Sequence, residues 1–598
     1  MSAAVQTVWA ELIAATLADA GVTTCVISPG SRSTPLVLAL AADGRMELPT
    51  IIDERAAAFF ALGVARATGA PAALVCTSGS AAAHYLPALV EASLAGVPLI
   101  AVTADRPPEL QQCGASQTID QIELYGSFVR GSFDLGAPTA APIALRAVRR
   151  KLVQAVTLAR GPHPGPVHVE VPLRKPLEPA APATDAERTL AALAVRLAGP
   201  LRIAPPRLAP DPAAIAELAA AIAAEPDGVI LAGALPAGFA DARDAVLALA
   251  RRAGYPIIAE AGSQLRFGPR PPPDALVFVD HFDVIPPAAL PTPRLVLQLG
   301  AEPVAAAWPG WLARLTDAGT ARCVLSGPRW HDADSSARAV VLGDVAAAVA
   351  ALVDALPGAP RTGEPAAAWR DAEARAARAT QLALESHPRS EAAMLRAAIA
   401  AAPPGAALQL GNSLPIRVVD QLPGQLAGGA TRPVLTQRGA AGIDGLIASA
   451  AGATWSGRPV LLVVGDVSFA HDLGGLLAAR AARAPLAILV IDNRGGQIFA
   501  GLPIARAEHA LAGGAFERHW ITAPDIDPAA VAAVLGARAT TAVSPAAAAT
   551  AIAGALETPG VTVIHAPVSA SGAHDVRRAA LDHFDTATSA SRSTGSKP

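Results

Sequence analysis

Two apolar runs in the last third of the chain end in oxygen-bearing side chains. "VLLVVGDVSFAHD" places Asp466 directly after Gly465, and "LAILVIDNRGGQIF" places Asn493 just before Gly495-Gly496. A carboxylate, an amide oxygen and the free carbonyls of a glycine turn are hard ligands suited to Mg²⁺ or Ca²⁺. A Mg²⁺ held by so few protein atoms normally shares phosphate oxygens as well. One strand–helix–strand unit separates Asp466 from Asn493, a length that can bring both to the same sheet edge. Asp472-Leu473-Gly474-Gly475 then opens a helical stretch whose first N–H groups can attract a phosphate. The structural alternative makes Asp466 and Asp472 turn and N-cap residues, with Asn493 in an Asx turn.

Other charged side chains stand near strand ends. "LPTIIDERAAAFFALGVARATG" runs from Ile51-Ile52 into Asp53-Glu54-Arg55, where both acids suit the start of the Ala/Phe helix that follows. Arg32 lies in "VISPGSRSTPLVLAL", Arg106 in "VTADRPPELQQCGASQTIDQ", Arg417 in "LGNSLPIRVVDQL" and Arg438 in "TQRGAAGIDG". Guanidinium forks bind carboxylates through two parallel hydrogen bonds, so several in one pocket imply a multiply acidic substrate. Taken singly, each also fits a surface ion pair.

The elements that must position these residues repeat one rhythm: a short apolar strand, a Gly/Ser/Pro turn, an Ala/Leu helix. With 598 residues the chain exceeds one core, and three domains fit it best. The expected class is α/β, with three doubly wound parallel-sheet domains. The first spans 1–180, with strands in "TTCVI", "PTIID", "AALVCT" and "LIAVTA". The second spans 212–355, with "GVILAGAL", "YPIIAEA", "LVLQLG" and "AVVLG". The third spans 388–582, with "AALQLG", "VLLVVGD", "LAILVID" and "VTVIHAPV". The Pro/Ala-rich stretches "PLEPAAPATDAERTLAALAVRLAGPLRIAPPRLAPDP" and "LPGAPRTGEPAAAWRDAEARAARAT" read as surface linkers. Residues 583–598 read as a disordered tail. In open α/β sheets ligands sit beyond the carboxyl ends of strands, where Asp466 and Asn493 fall.

Composition narrows the function class. Hydrophobic residues make up 52% and aromatics only 4%, an alanine-rich soluble pattern with no candidate membrane span. A net charge of −3 gives no reason to expect nucleic acid. The four cysteines are scattered without a C-x-x-C pair, which fits a reducing cytoplasm better than a disulfide framework. The first residues carry Glu11 and Asp19 and read as a helix rather than a targeting leader.

"GDVSFAHD…IDNRGGQIF" resembles the diphosphate–magnesium motif of thiamine diphosphate enzymes, with Asp492 where that motif has its first asparagine. The resemblance implies thiamine diphosphate with Mg²⁺, or Mn²⁺ in its place, held by Asp466, Asn493 and the Gly495 carbonyl. It makes Glu54 the acid that hydrogen-bonds the cofactor's pyrimidine, and Ile443 the residue that props the cofactor, although Ile443 also fits an ordinary helix core. "SPGSRSTPL", "DERAAAFFALGVA", "CTSGSAAAHYLPA", "VTADRPPEL", "QTIDQ", "RGAAGIDG" and "NRGGQIFAGLPIA" together are similar to the 2-succinyl-5-enolpyruvyl-6-hydroxy-3-cyclohexene-1-carboxylate synthases of menaquinone biosynthesis. That family likeness implies a transferase that decarboxylates 2-oxoglutarate and adds the succinic-semialdehyde carbanion in 1,4 fashion to isochorismate. It places Ser31, Arg32, Ser413 and Arg417 around the keto acid, and Arg106, Gln117 and Arg438 around isochorismate. Ile498 and Phe499 become an apolar wall. Glu54, Arg32 and Arg417 form the catalytic set. A homodimer or dimer of dimers in the cytoplasm is also implied, with each site taking Glu54 from one chain and Asp466 from another. The alternative is another thiamine diphosphate-dependent 2-oxoacid decarboxylase or an acetohydroxyacid-type synthase. One departure stands out: Ala305-Ala306 replaces the Ser-Lys pair often found in the middle block.

Overall fold

The computed structural model describes residues 2–358, 365–424, 429 and 431–593. Among these, three all-parallel sheets form, each flanked by helices. The first sheet orders its strands Thr24–Ile27, Ala72–Cys76, Leu99–Asp105, Val167–Pro172 and Ser132–Asp134. The second runs from Ala339–Leu342 through Ala321–Ser326, Leu295–Leu299, Gly228–Ala232 and Ile257–Ala259 to Phe278–Val279. The third has the order Val434–Thr436, Ala407–Leu410, Val460–Gly465, Leu486–Asp492, Val561–Pro567, Arg538–Thr541. Central strands such as Leu99–Asp105 are buried along their whole length, as helices on both faces require.

The chain groups into two compact units. One comprises Met1–Arg207, Gln437–Arg458 and His471–Ala484, and carries the first sheet. The other contains the second and third sheets. The sequence suggests a single third domain over 388–582, but two of its segments join the first unit. Glycine explains why. Within that unit, a Cβ on Gly63 of helix Glu54–Thr68 would lie 1.9 Å from the Ser449 carbonyl oxygen, and one on Gly452 would lie 2.0 Å from that of Phe60. Helix Leu446–Ala453 thus packs backbone to backbone on helix Glu54–Thr68, an approach that side chains would prevent.

Several stretches differ from what the sequence suggests. "PTIID" forms only an isolated bridge from Thr50 to Ile27. Pro49 there has no N–H to donate, which limits pairing. The first linker contains helix Asp185–Leu197, opened by a capping box between Thr184 and Glu187, with Leu190 and Leu193 in the first core. The second contains helix Pro365–Ser386, while its residues 359–364 lie outside those described. The supposed disordered tail is helical through Ser593, with residues 594–598 outside the described set. The reason is a buried anchor. Phe584 is 1% exposed, shares an apolar cluster with Trp311 and Trp369, and receives the Arg375 guanidinium 4.4 Å above its ring.

Candidate active site

In the second unit, strands Val460–Gly465 and Leu486–Asp492 are neighbours, with Gly465 opposite Ile491. Asp466 and Asn493 therefore leave the same sheet edge side by side. Asp466 is 3% exposed. Its Oδ2 accepts from the Gly495 N–H at 2.6 Å and its Oδ1 from the Val467 N–H at 2.8 Å. Burial is the main cause of a carboxyl pushed up to about 6, with the Asp492 charge adding to it.

Asn493 is 5% exposed. Its Nδ2 donates to Glu391 Oε2 at 3.2 Å, while its Oδ1 is buried with no hydrogen-bond partner among the described residues. A buried amide oxygen without a partner is costly unless something else binds it. Gly495 has φ +111°, and a Cβ there would sit 2.2 Å from the Ile521 carbonyl oxygen, so the turn requires glycine. The Gly495 carbonyl accepts from the Gln497 N–H at 2.8 Å and keeps a second lone pair. Among the described residues no cluster of three His, Cys, Asp or Glu could hold a metal by itself. A donor set of one carboxylate, one amide oxygen and one carbonyl suits a cation that also binds phosphate.

Asp492, the departure from the motif, stands close enough to Asp466 to help raise its carboxyl. Its Oδ2 contacts His565 Nε2 at 2.9 Å, and its Oδ1 accepts from the Arg494 N–H. Ser413 adopts φ +73°, an outlier for a non-glycine residue, and its carbonyl accepts from Arg417 Nη1 at 2.7 Å. Ile498 and Phe499 lie half-buried in the 3₁₀ turn Gln497–Gly501 of the same unit.

Asp472 does not begin a phosphate-binding helix. It belongs to the first unit, and its Oδ2 accepts from the N–H groups of Ile447 and Ala448, capping helix Leu446–Ala453 from a distance. The stretch that follows it, Gly474–Ala478, is only one short turn.

The first unit gathers the other candidates. Asp53 caps helix Glu54–Thr68 by accepting from Arg55 and Ala56, which leaves Glu54 half-buried at the first helical position rather than deep in an apolar pocket. Arg32, Arg106 and Gln117 converge on the turn Thr77-Ser78-Gly79 after strand Ala72–Cys76. The Arg32 N–H donates to Thr77 Oγ1 and its guanidinium to the Leu173 carbonyl at 2.7 Å. The Arg106 guanidinium donates to Ser78 Oγ, and Gln117 Nε2 to the Ser78 carbonyl at 3.0 Å. Burial, then the neighbouring Arg106 charge, lowers the Arg32 pKa. Ser31 is exposed beside them. Arg438 and Ile443, both half-buried, also belong to this unit. Their loop is held where the Glu91 carboxylate accepts from Gly439, Ala440 and Arg66.

Two groups escaped the sequence reading. Glu391, 1% exposed, opens helix Glu391–Ala401 like any helix-start acid, and burial pushes it up to about 7. Below Arg32 and Arg106, Asp105 and Glu170 are both buried and both raised to about 7, chiefly by desolvation. Thr103 and Gln121 donate to Glu170, and Gln121 Oε1 accepts from Gly79 at 2.8 Å. Alternation along buried strands hides such pairs. "QTIDQ" was the only available signal.

Residues 8–124 match the family "Thiamine pyrophosphate enzyme, N-terminal TPP binding domain", and residues 429–566 match "Thiamine pyrophosphate enzyme, C-terminal TPP binding domain". The fold is shared with benzoylformate decarboxylase from Polynucleobacter necessarius, at a TM-score of 0.69 and 18% identity over 94% of this chain and 98% of that one. The protein is an enzyme of the thiamine diphosphate-dependent class. Similar proteins named 2-succinyl-5-enolpyruvyl-6-hydroxy-3-cyclohexene-1-carboxylate synthase come from Sorangium cellulosum (43% identity; 88% of this chain, 87% of the relative) and Geobacillus kaustophilus (39%; 95% and 96%). The chain belongs to that synthase family.

Proposed function

We propose that the protein decarboxylates 2-oxoglutarate and joins the remaining four-carbon unit to isochorismate, in menaquinone biosynthesis in the cytoplasm. The bond between the keto carbon and its carboxylate breaks, CO₂ leaves, and the keto carbon bonds to the conjugated isochorismate ring. Bound thiamine diphosphate supplies the carbon nucleophile and electron sink for this chemistry. The protein's part is to hold, orient and desolvate. Asp466, Asn493 Oδ1 and the Gly495 carbonyl would hold Mg²⁺ with the diphosphate, and Glu54 would hydrogen-bond the pyrimidine. Ile443 would prop the cofactor, with Ile498 and Phe499 as its apolar wall. Ser31, Arg32, Ser413 and Arg417 would take the keto acid, while Arg106, Gln117 and Arg438 would take the acceptor. Ala306, which is exposed, adds no cation to that set.

The observation that carries the metal reading is the buried, partnerless Asn493 Oδ1 at the strand tip next to Asp466. Asp466→Ala should abolish Mg²⁺-dependent thiamine diphosphate binding in calorimetry, and unchanged affinity would remove the assignment. The family likeness further supports a homodimer or dimer of dimers whose sites draw Glu54 and Asp466 from different chains. Random mixing of inactive Glu54→Ala and Asp466→Ala chains would then restore roughly one quarter of wild-type activity. No recovery would mean that both residues come from one chain.

A further inference from the structure

Glu391 poses a problem that its place at a helix start does not solve. A helix-start acid gains from the macrodipole at the surface, without losing hydration. Ser390 already caps this helix by accepting from the Ala393 N–H. Yet Glu391 is 1% exposed, and among the described residues its Oε1 has no hydrogen-bond partner while its Oε2 accepts from Asn493 Nδ2 at 3.2 Å. Burying a carboxyl with so little compensation is expensive, so the contact with Asn493 needs a purpose.

An asparagine amide has two ends of nearly the same shape and opposite hydrogen-bonding character. Only the oxygen can bind a cation. In its ionised form a carboxylate accepts and does not donate, so ionised Glu391 tolerates the NH₂ end and repels the oxygen. The amide is thereby fixed with Nδ2 toward Glu391 and Oδ1 left free, as observed. We propose that Glu391 is a positioning residue that locks the Asn493 amide with its oxygen presented to the divalent cation. This rests on the metal reading above. It adds that the affinity of the site depends on a residue 102 positions earlier in the chain, acting through Asn493.

Partners that orient a metal ligand typically change metal affinity by 10- to 100-fold when removed. The test measures free Mn²⁺ by electron paramagnetic resonance during titration of the full-length protein with thiamine diphosphate present. Glu391→Ala should raise the Mn²⁺ dissociation constant at least tenfold. Glu391→Gln, whose Oε1 can still accept from Nδ2 but whose own NH₂ can also meet the amide oxygen, should lose less affinity than Glu391→Ala. Asn493→Asp should bind poorly, because two carboxylates then face each other. Adding Glu391→Gln to it should restore binding, since the new amide can donate to the new carboxylate. That reversal does not depend on whether Glu391→Ala folds. The proposal is overturned if Glu391→Ala binds like wild type while Asn493→Ala binds weakly, or if Asn493→Asp binds equally well with either residue at 391. Wild-type affinity in Asn493→Ala would instead remove the metal reading itself.

Discussion

Gly495→Ala separates the shape of the cation site from its charge. Nothing ionisable changes, but the backbone at φ +111° disfavours any side chain, and the new Cβ would approach the Ile521 carbonyl oxygen to 2.2 Å. A normal contact needs about 1 Å more. The Ile521 carbonyl is not free to retreat, because it accepts from the Gly496 N–H at 2.6 Å. Backbone strain of this kind costs about 1–3 kcal/mol, and overpacking a further ~1–3 kcal/mol. The apo turn can relax away from both costs. Binding requires the native turn back, because it supplies the carbonyl and the N–H that fixes Asp466. The strain is then deducted from the binding energy. Even about 2 kcal/mol weakens Mg²⁺-dependent thiamine diphosphate binding roughly 30-fold, at ~1.4 kcal/mol per tenfold. Gly405→Ala is the control: φ is +84° with no atom within 4 Å of the added carbon, so it should lower stability slightly and leave affinity unchanged. Calorimetry with and without Mg²⁺ gives both numbers. Wild-type affinity in Gly495→Ala would refute the reasoning, because a site built on this turn cannot absorb the displacement unnoticed.

Glu54→Gln should keep cofactor binding but slow proton exchange at the thiazolium C2, followed by NMR, and a normal exchange rate would return Glu54 to a helix-start acid. Arg417→Ala should weaken 2-oxoglutarate more than pyruvate, by about 1.5–3 kcal/mol for one lost charged hydrogen bond, and equal losses would remove it from the distal carboxylate. Gly63→Ala should destabilise the first unit by about 1–3 kcal/mol or more in thermal unfolding, since its Cβ meets the Ser449 backbone at 1.9 Å. Glu170 is raised to about 7, so its contribution is fully present below about pH 4 and is lost as pH rises to about 7. Against the permanently neutral Glu170→Gln, wild type should therefore match best at or below about pH 4. It should fall behind by up to about 3 kcal/mol at pH 8 in denaturant unfolding, and a pH-independent difference would contradict the burial argument.

What could be read from sequence was whatever local patterning enforces. Apolar runs ending in Asp466 and Asn493 specify two buried strands and their tips, and the two strands pair in parallel across a short helical connection. Glu391 was hidden because a buried helix-start acid and an exposed one look alike in sequence. The Asp105–Glu170 pair was hidden because the two strands meet only in the sheet. The transfer of Gln437–Arg458 to the first unit depends on Gly63 and Gly452 meeting distant backbone, which no local window contains. Phe584 shows the same limit: its polar surroundings suggest disorder, whereas its anchor is a tryptophan cluster far back in the chain.

The central claim is the coupling of 2-oxoglutarate to isochorismate, and product mass tests it most directly. The purified protein is incubated with both substrates, thiamine diphosphate and Mg²⁺, and analysed by mass spectrometry alongside reactions lacking each component. The account predicts a product whose mass equals the two substrates less CO₂, formed only when all four components are present. Succinic semialdehyde as the sole product at an undiminished rate without isochorismate would contradict it, and would identify a simple 2-oxoacid decarboxylase instead.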